Sequence, residues 1–199
     1  TGCEKMIQLL TMPPWEGLHP AIVHFPIALL LIVPYFLLWG MAFKRTRRAA
    51  WGAGLAVCVL GTMGAIVATI TGEASAEALH VPVQLRVFVE GHEDAGELAR
   101  NLFVILALLY AVVLGLDRYG ERFMKTRPSE KLTVTLMAIY FLLYVGGCAA
   151  LVNAAARGGE LVHLHGIRAP MGRSEISTPD IPKAKGIDSE TREHEPEKR

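Results

Sequence analysis

The sequence predicts an all-α protein: a four-transmembrane-helix bundle with an outer-face loop and an extended C-terminal tail. Three observations predict it. Charged residues make up 20% of the 199-residue chain, and they are gathered into blocks. Between the blocks lie four uncharged runs: Ala21–Phe43 (23 residues), Trp51–Thr71 (21), Asn101–Leu116 (16) and Leu132–Ala156 (25). None of the runs alternates polar and apolar residues as a barrel strand does. A helix needs about 20 apolar residues to cross a hydrocarbon core about 30 Å thick. No water is available there, so the backbone must satisfy its own hydrogen bonds. Three runs are long enough outright. The third reaches the length once Leu98 and Ala99 are added and Arg100 snorkels toward the headgroups. The domain organisation that follows is an outer N-terminal segment (1–19), a four-helix membrane domain (20–165) and a tail (166–199).

The same composition excludes other classes. A chain with 52% hydrophobic residues arranged this way is neither a soluble globular enzyme nor a disordered chain. A net charge of +1 gives no case for nucleic-acid binding. No phosphate-binding glycine loop, serine-nucleophile elbow or intramembrane carboxylate pair is present. The chain therefore reads as a non-catalytic electron-transfer or accessory subunit.

Each span has its own signals. In the first, Pro20 suits an opening helical position, where its missing N–H costs nothing. Pro26 frees the carbonyl of Ile22 and predicts a kink just below His24, whereas Pro34 is a tolerated kink. The second span carries Gly64, Ala68, Gly72 and Ala76 at every fourth position. Such a small-residue stripe lets a neighbouring helix, or a flat cofactor, approach the backbone. The third span extends above the membrane from near Gly91 and keeps small or apolar residues on the face of His92. The fourth has a second close-approach patch at Gly146–Gly147. The tail is rich in Pro and Gly, and charge-balanced, and reads as an extended segment lying on partner subunits.

Orientation follows from Lys and Arg. Residues 44–50 hold Lys44, Arg45, Arg47 and Arg48 with no acid, and 117–131 hold Arg118, Arg122, Lys125, Arg127 and Lys131. Residues 72–100 hold only Arg86 and Arg100 against six acids. The positive-inside rule places the two basic loops in the cytoplasm. Both termini are then periplasmic, the expectation for a multi-pass protein of an inner membrane.

Histidine is the informative residue type. Six of the seven (His19, His24, His80, His92, His163 and His165) fall at or near the predicted outer face, and none falls at the inner one. His24 lies about 6 Å inside the first helix, counted from Pro20 at about 1.5 Å per residue. His19 and His24, five residues apart, are about 140° apart around the helix and do not share a face. Three chemistries fit. Low-spin haem b needs two facing imidazoles, an apolar cleft and cations for its propionates. His24, His92, His163 and His165 are the candidate ligands, and Arg100 and Arg157 the cations. A zinc or copper site has a weaker candidate in His163, His165 and Glu160. A quinone pocket would pair a histidine with an acid at the membrane edge. The plain alternative is structural: interfacial histidines bonded to loops and headgroups.

The motifs His19-Pro20-Ala21-Ile22-Val23-His24-Phe25-Pro26-Ile27-Ala28-Leu29-Leu30, Thr71-Gly72-Glu73-Ala74, Gly91-His92-Glu93-Asp94-Ala95 and Gly158-Gly159-Glu160-Leu161-Val162-His163-Leu164-His165-Gly166 resemble, in that order, a bacterial membrane-protein family known as domain of unknown function 2231. The resemblance spans about residues 15–168 and leaves out the tail. It implies a compact four-helix membrane domain. Relatives found beside or fused to redox modules, Rieske-type ones included, imply electron transfer. The positions it carries over as ligands are His24, His92 and His165, and His163 departs from the pattern. The resulting expectation is a membrane subunit of an electron-transfer complex, binding haem b through His24 and either His92 or His165. Its partners would be other membrane subunits, the lipid bilayer, and a quinone or periplasmic cytochrome. The alternative is a cofactor-free accessory subunit that stabilises a membrane complex.

The topology is directly testable. A Thr46→Cys variant in intact spheroplasts should react negligibly with an impermeant maleimide; efficient labelling from outside overturns the predicted orientation.

Overall fold

A computed structural model describes residues 14–79, 81–124 and 129–167, with the side chains of 120–124 also left undescribed. The tail beyond 167, His80 and His194 therefore lie outside the described residues. A 3-10 turn (Trp15–Gly17) leads into α1 (His19–Ile22), α2 (His24–Ala42), α3 (Arg47–Ala78), α4 (Val83–Met124) and α5 (Glu130–His163). Segments His19–Ala42, Arg47–Ala78, Val83–Tyr119 and Glu130–His163 are each long and apolar enough to cross a membrane. The protein is all-α and has four membrane-spanning helices, with α1 and α2 together forming the first. Their connections are short, and neighbours pack in a closed ring: α2 on α3, α3 on α4, α4 on α5 and α5 back on α2.

Two features differ from the sequence reading. The helix break falls at Val23, one residue above His24 rather than below it. Pro26 has no N–H for the Ile22 carbonyl, so the regular ladder is interrupted one turn upstream of the proline. The expected outer loop is almost wholly helical, because α3 runs on to Ala78 and α4 begins at Val83. The acids of this segment are mainly glutamates, which are good helix formers. Arg100 pairs with Glu97 (3.5 Å) and reaches Glu73 (3.9 Å), linking the two helical extensions.

The core shows how apolar helices hold together where lipid is as apolar as leucine. Glycines let helices approach closely. A Cβ at Gly61 would meet Leu30 at 2.8 Å, one at Gly54 would meet the Tyr110 hydroxyl at 2.7 Å, and one at Gly147 would meet Leu106 at 2.7 Å. Buried polar tips then bond across helices. Tyr110 donates to the Trp51 carbonyl (2.9 Å), Tyr140 to Leu106 (3.1 Å), Tyr144 to Leu30 (3.0 Å) and the Trp51 indole to Leu37 (3.2 Å). At the basic end, Glu130 pairs with Lys44 (2.6 Å) and Arg47 (2.7 Å), closing α5 onto the α2–α3 turn. Ser129 caps α5 by accepting from the Leu132 N–H (3.2 Å).

Gly40 and Gly52 separate packing from propensity. A Cβ at Gly40 would run into the Trp51 indole, whereas one at Gly52 meets nothing within 4 Å. Gly40→Ala should cost about 1–3 kcal/mol by overpacking. Gly52→Ala should be neutral or stabilising by up to about 1 kcal/mol. Unfolding in mixed micelles measures both; equal effects would contradict the packing described.

Candidate functional site

The end of the bundle away from the basic loops holds two imidazoles seated in the same way. His19 opens α1, and its Nδ1 bonds the Ala68 carbonyl of α3 at 2.8 Å. His92 lies on α4, and its Nδ1 bonds the Ala154 carbonyl of α5 at 3.1 Å. A carbonyl only accepts, so each Nδ1 carries the proton and each Nε2 keeps a lone pair, a tautomer assigned from the bonding. One turn beyond each accepting carbonyl stands a glycine that gives the ring its room. A Cβ at Gly72 would sit 3.1 Å from Cε1 of His19, and one at Gly158 would sit 2.8 Å from Cε1 of His92. The two rings meet near edge-to-face, with centroids 6.2 Å apart and planes at 76°. The pair thus joins α1, α3, α4 and α5. The 3-10 turn is drawn to the same end, where the Ser75 hydroxyl donates to the Glu16 carbonyl.

The other candidates are placed differently. His24 is exposed, and its Nδ1 bonds Pro20 of the adjoining α1 turn (2.8 Å), so the first span presents His19 rather than His24 to His92. His163 is the exposed last residue of α5. His165 lies in the turn beyond, which ends at Gly166 with φ 66°, and stacks on Phe88 of α4 (4.1 Å, 28°). Arg157 donates from Nη1 to the Gly91 carbonyl (3.0 Å), beside His92. Arg100 donates to Thr69 Oγ1 (3.3 Å) as well as pairing with the glutamates. Among the described residues, no group of three or more His, Cys, Asp or Glu side chains is placed to hold a metal ion. A zinc or copper site at His163, His165 and Glu160 is therefore not assembled.

His19 is the residue that the sequence reading passed over as a ligand. The signal was the phase of the first span. Its buried residues Pro26, Leu30, Val33, Leu37 and Gly40 form a stripe at intervals of three and four. Seven residues back from Pro26 is His19, on the stripe; His24 is off it.

A model of the family described as predicted membrane protein (DUF2231) matches residues 16–170. The chain belongs to this family. Neither the search of curated proteins nor that of solved structures finds a match. Within this DUF2231 protein the match takes in all four spans, both seated histidines and His165.

The seats can be probed through their glycines. Gly158→Leu should drive the His92 ring off the Ala154 carbonyl and lower the thermal midpoint, at a cost of about 1–3 kcal/mol. Gly159→Leu, with nothing within 4 Å of the added Cβ, should leave the midpoint in place. A midpoint unmoved by Gly158→Leu would mean that the seat does not hold the ring.

Proposed function

We propose that this protein is an electron-transfer subunit of a membrane redox assembly, in which His19 and His92 would be the residues that hold a haem b. The observation that carries this reading is the seating of the two imidazoles. Histidines that bind metals almost always donate the other ring N–H to a carbonyl or carboxylate, which fixes the tautomer and orients the ring. Both rings meet that condition through Nδ1, on carbonyls of two different helices. The two rings lie at the same end of the bundle, with centroids 6.2 Å apart. Glycines at 72 and 158 keep both rings free of Cβ atoms. Arg157, bonded to the carbonyl beside His92, is the candidate cation for propionates, with Arg100 two turns further along α4. The iron would supply a one-electron carrier. The chain's part is to fix two neutral imidazoles and to keep them among apolar helices. A quinone or a periplasmic cytochrome is the partner class for such a carrier.

A second reading has its own observation. The same two side-chain-to-carbonyl bonds and the ring contact tie four helices together with no ligand at all. On that reading the histidines are a clasp, and the protein is a cofactor-free accessory subunit.

Pyridine haemochrome analysis of the protein purified from its native membrane separates the two. The first reading expects about one haem b per chain, lost in His19→Ala and His92→Ala and kept in His24→Ala. A haem-free wild type whose thermal midpoint falls in the same two variants overturns it in favour of the clasp.

A further inference from the structure

A cleft of about 280 Å³ opens between the first turns of α4 and the last turns of α5, lined by Phe88, Gly91, Asn153, Arg157, Glu160 and His165 among others. We propose that this cleft binds the headgroup of a membrane quinone. The proposal deepens the electron-transfer reading by naming the partner, and rests on that reading for the partner's role but not for the binding itself.

The chemistry of the walls points to this ligand. One wall is aromatic, the stacked pair of Phe88 and His165. The rest offers a guanidinium, an amide and a carboxylate within one small volume. A quinone ring is flat and carries two carbonyl acceptors, which become two hydroxyl donors in the quinol. Arg157, Asn153 and the His165 ring can donate to the first form, and Glu160 can accept from the second. Among the described residues, neither the Glu160 carboxylate nor the His165 ring is engaged in a side-chain hydrogen bond or an ion pair. The Arg157 guanidinium spends Nη1 on the Gly91 carbonyl and keeps further N–H groups.

The surroundings fix where the ligand comes from. Val87 and Phe88, which line the cleft, are 64% and 45% exposed and give it an apolar skirt suited to an isoprenoid tail. A water-soluble metabolite has no use for that skirt. A phospholipid phosphate would meet the Glu160 carboxylate beside Arg157. Gly91, on the cleft wall, directly precedes His92, so the cleft opens one position along α4 from the seated histidine.

The test uses the full chain in nanodiscs of phosphatidylcholine, titrated with a decyl-tailed benzoquinone and read by equilibrium dialysis. About one site per chain is expected. Arg157→Gln and His165→Ala should each weaken binding at least tenfold, with helicity checked by circular dichroism. Gly91→Ala is the gentler variant. Its Cβ would sit 3.0 Å from Arg157 Nη1, so it displaces a flexible guanidinium without breaking the helix, and a several-fold loss is expected. Binding no tighter than that of decylbenzene, or unaffected by all three substitutions, overturns the proposal. So does displacement by phosphatidylglycerol with the same dependence on the variants, which would make the cleft a phosphate site. Haem is quantified in the same discs. Quinone binding without haem leaves this proposal standing and removes the haem; haem without quinone binding does the reverse.

Discussion

The structure depends on one constraint: in lipid, burying apolar surface between helices gains little, because the acyl chains are equally apolar. What remains is close approach and internally satisfied polarity. Both are visible in the core. Glycines at 40, 54, 61 and 147 each face a side chain that a Cβ would strike. Tyr110, Tyr140 and Tyr144 each carry a hydroxyl across to the backbone of another helix. The tyrosines contribute large apolar bodies to the packing and end in a donor that finds a carbonyl. Remove the glycines and the helices separate; remove the hydroxyl partners and polar groups are stranded in a dry interior.

The histidine end applies the same solution to a different side chain. An imidazole is too large to lie against a helix unless the residue facing it is small, and its N–H needs an acceptor. The pairs Ala68/Gly72 and Ala154/Gly158 supply both requirements, once on α3 and once on α5. The bond through Nδ1 that lets each ring be buried also leaves Nε2 with its lone pair. A clasp and a ligand set therefore begin from the same geometry, and the haem content decides between them. The cleft beside this pair is built otherwise. It is open, mixed in polarity and skirted by exposed Val87 and Phe88, unlike the enclosed seats of the two imidazoles.

The four spans and the all-helical class were legible in the sequence because they are properties of composition along one dimension, and the family through four motifs in the order that resembles it. Uncharged runs of membrane length leave the backbone no choice but to bond itself. The small-residue stripe at Ala68 and Gly72, and the gathering of histidines at one end, were equally plain. The helical reach of residues 72–100 was not, since acidic residues mark a polar segment without saying whether it coils or loops. Which histidine faces which was decided by tertiary structure. His19 and His24 stand five residues apart and about 140° apart around a helix, so the rotation of the first span decides which of them faces the bundle. That rotation is set by where Pro26, Leu30 and Val33 pack. The Ala154 carbonyl reaches His92 across 62 residues of chain, a proximity created only by the packing of α5 on α4. The sequence by itself determined that the chain crosses the membrane four times with its histidines at one end; only the closed ring of helices decided that His19 meets His92, because a side chain's neighbours across a bundle depend on the rotation of every helix at once.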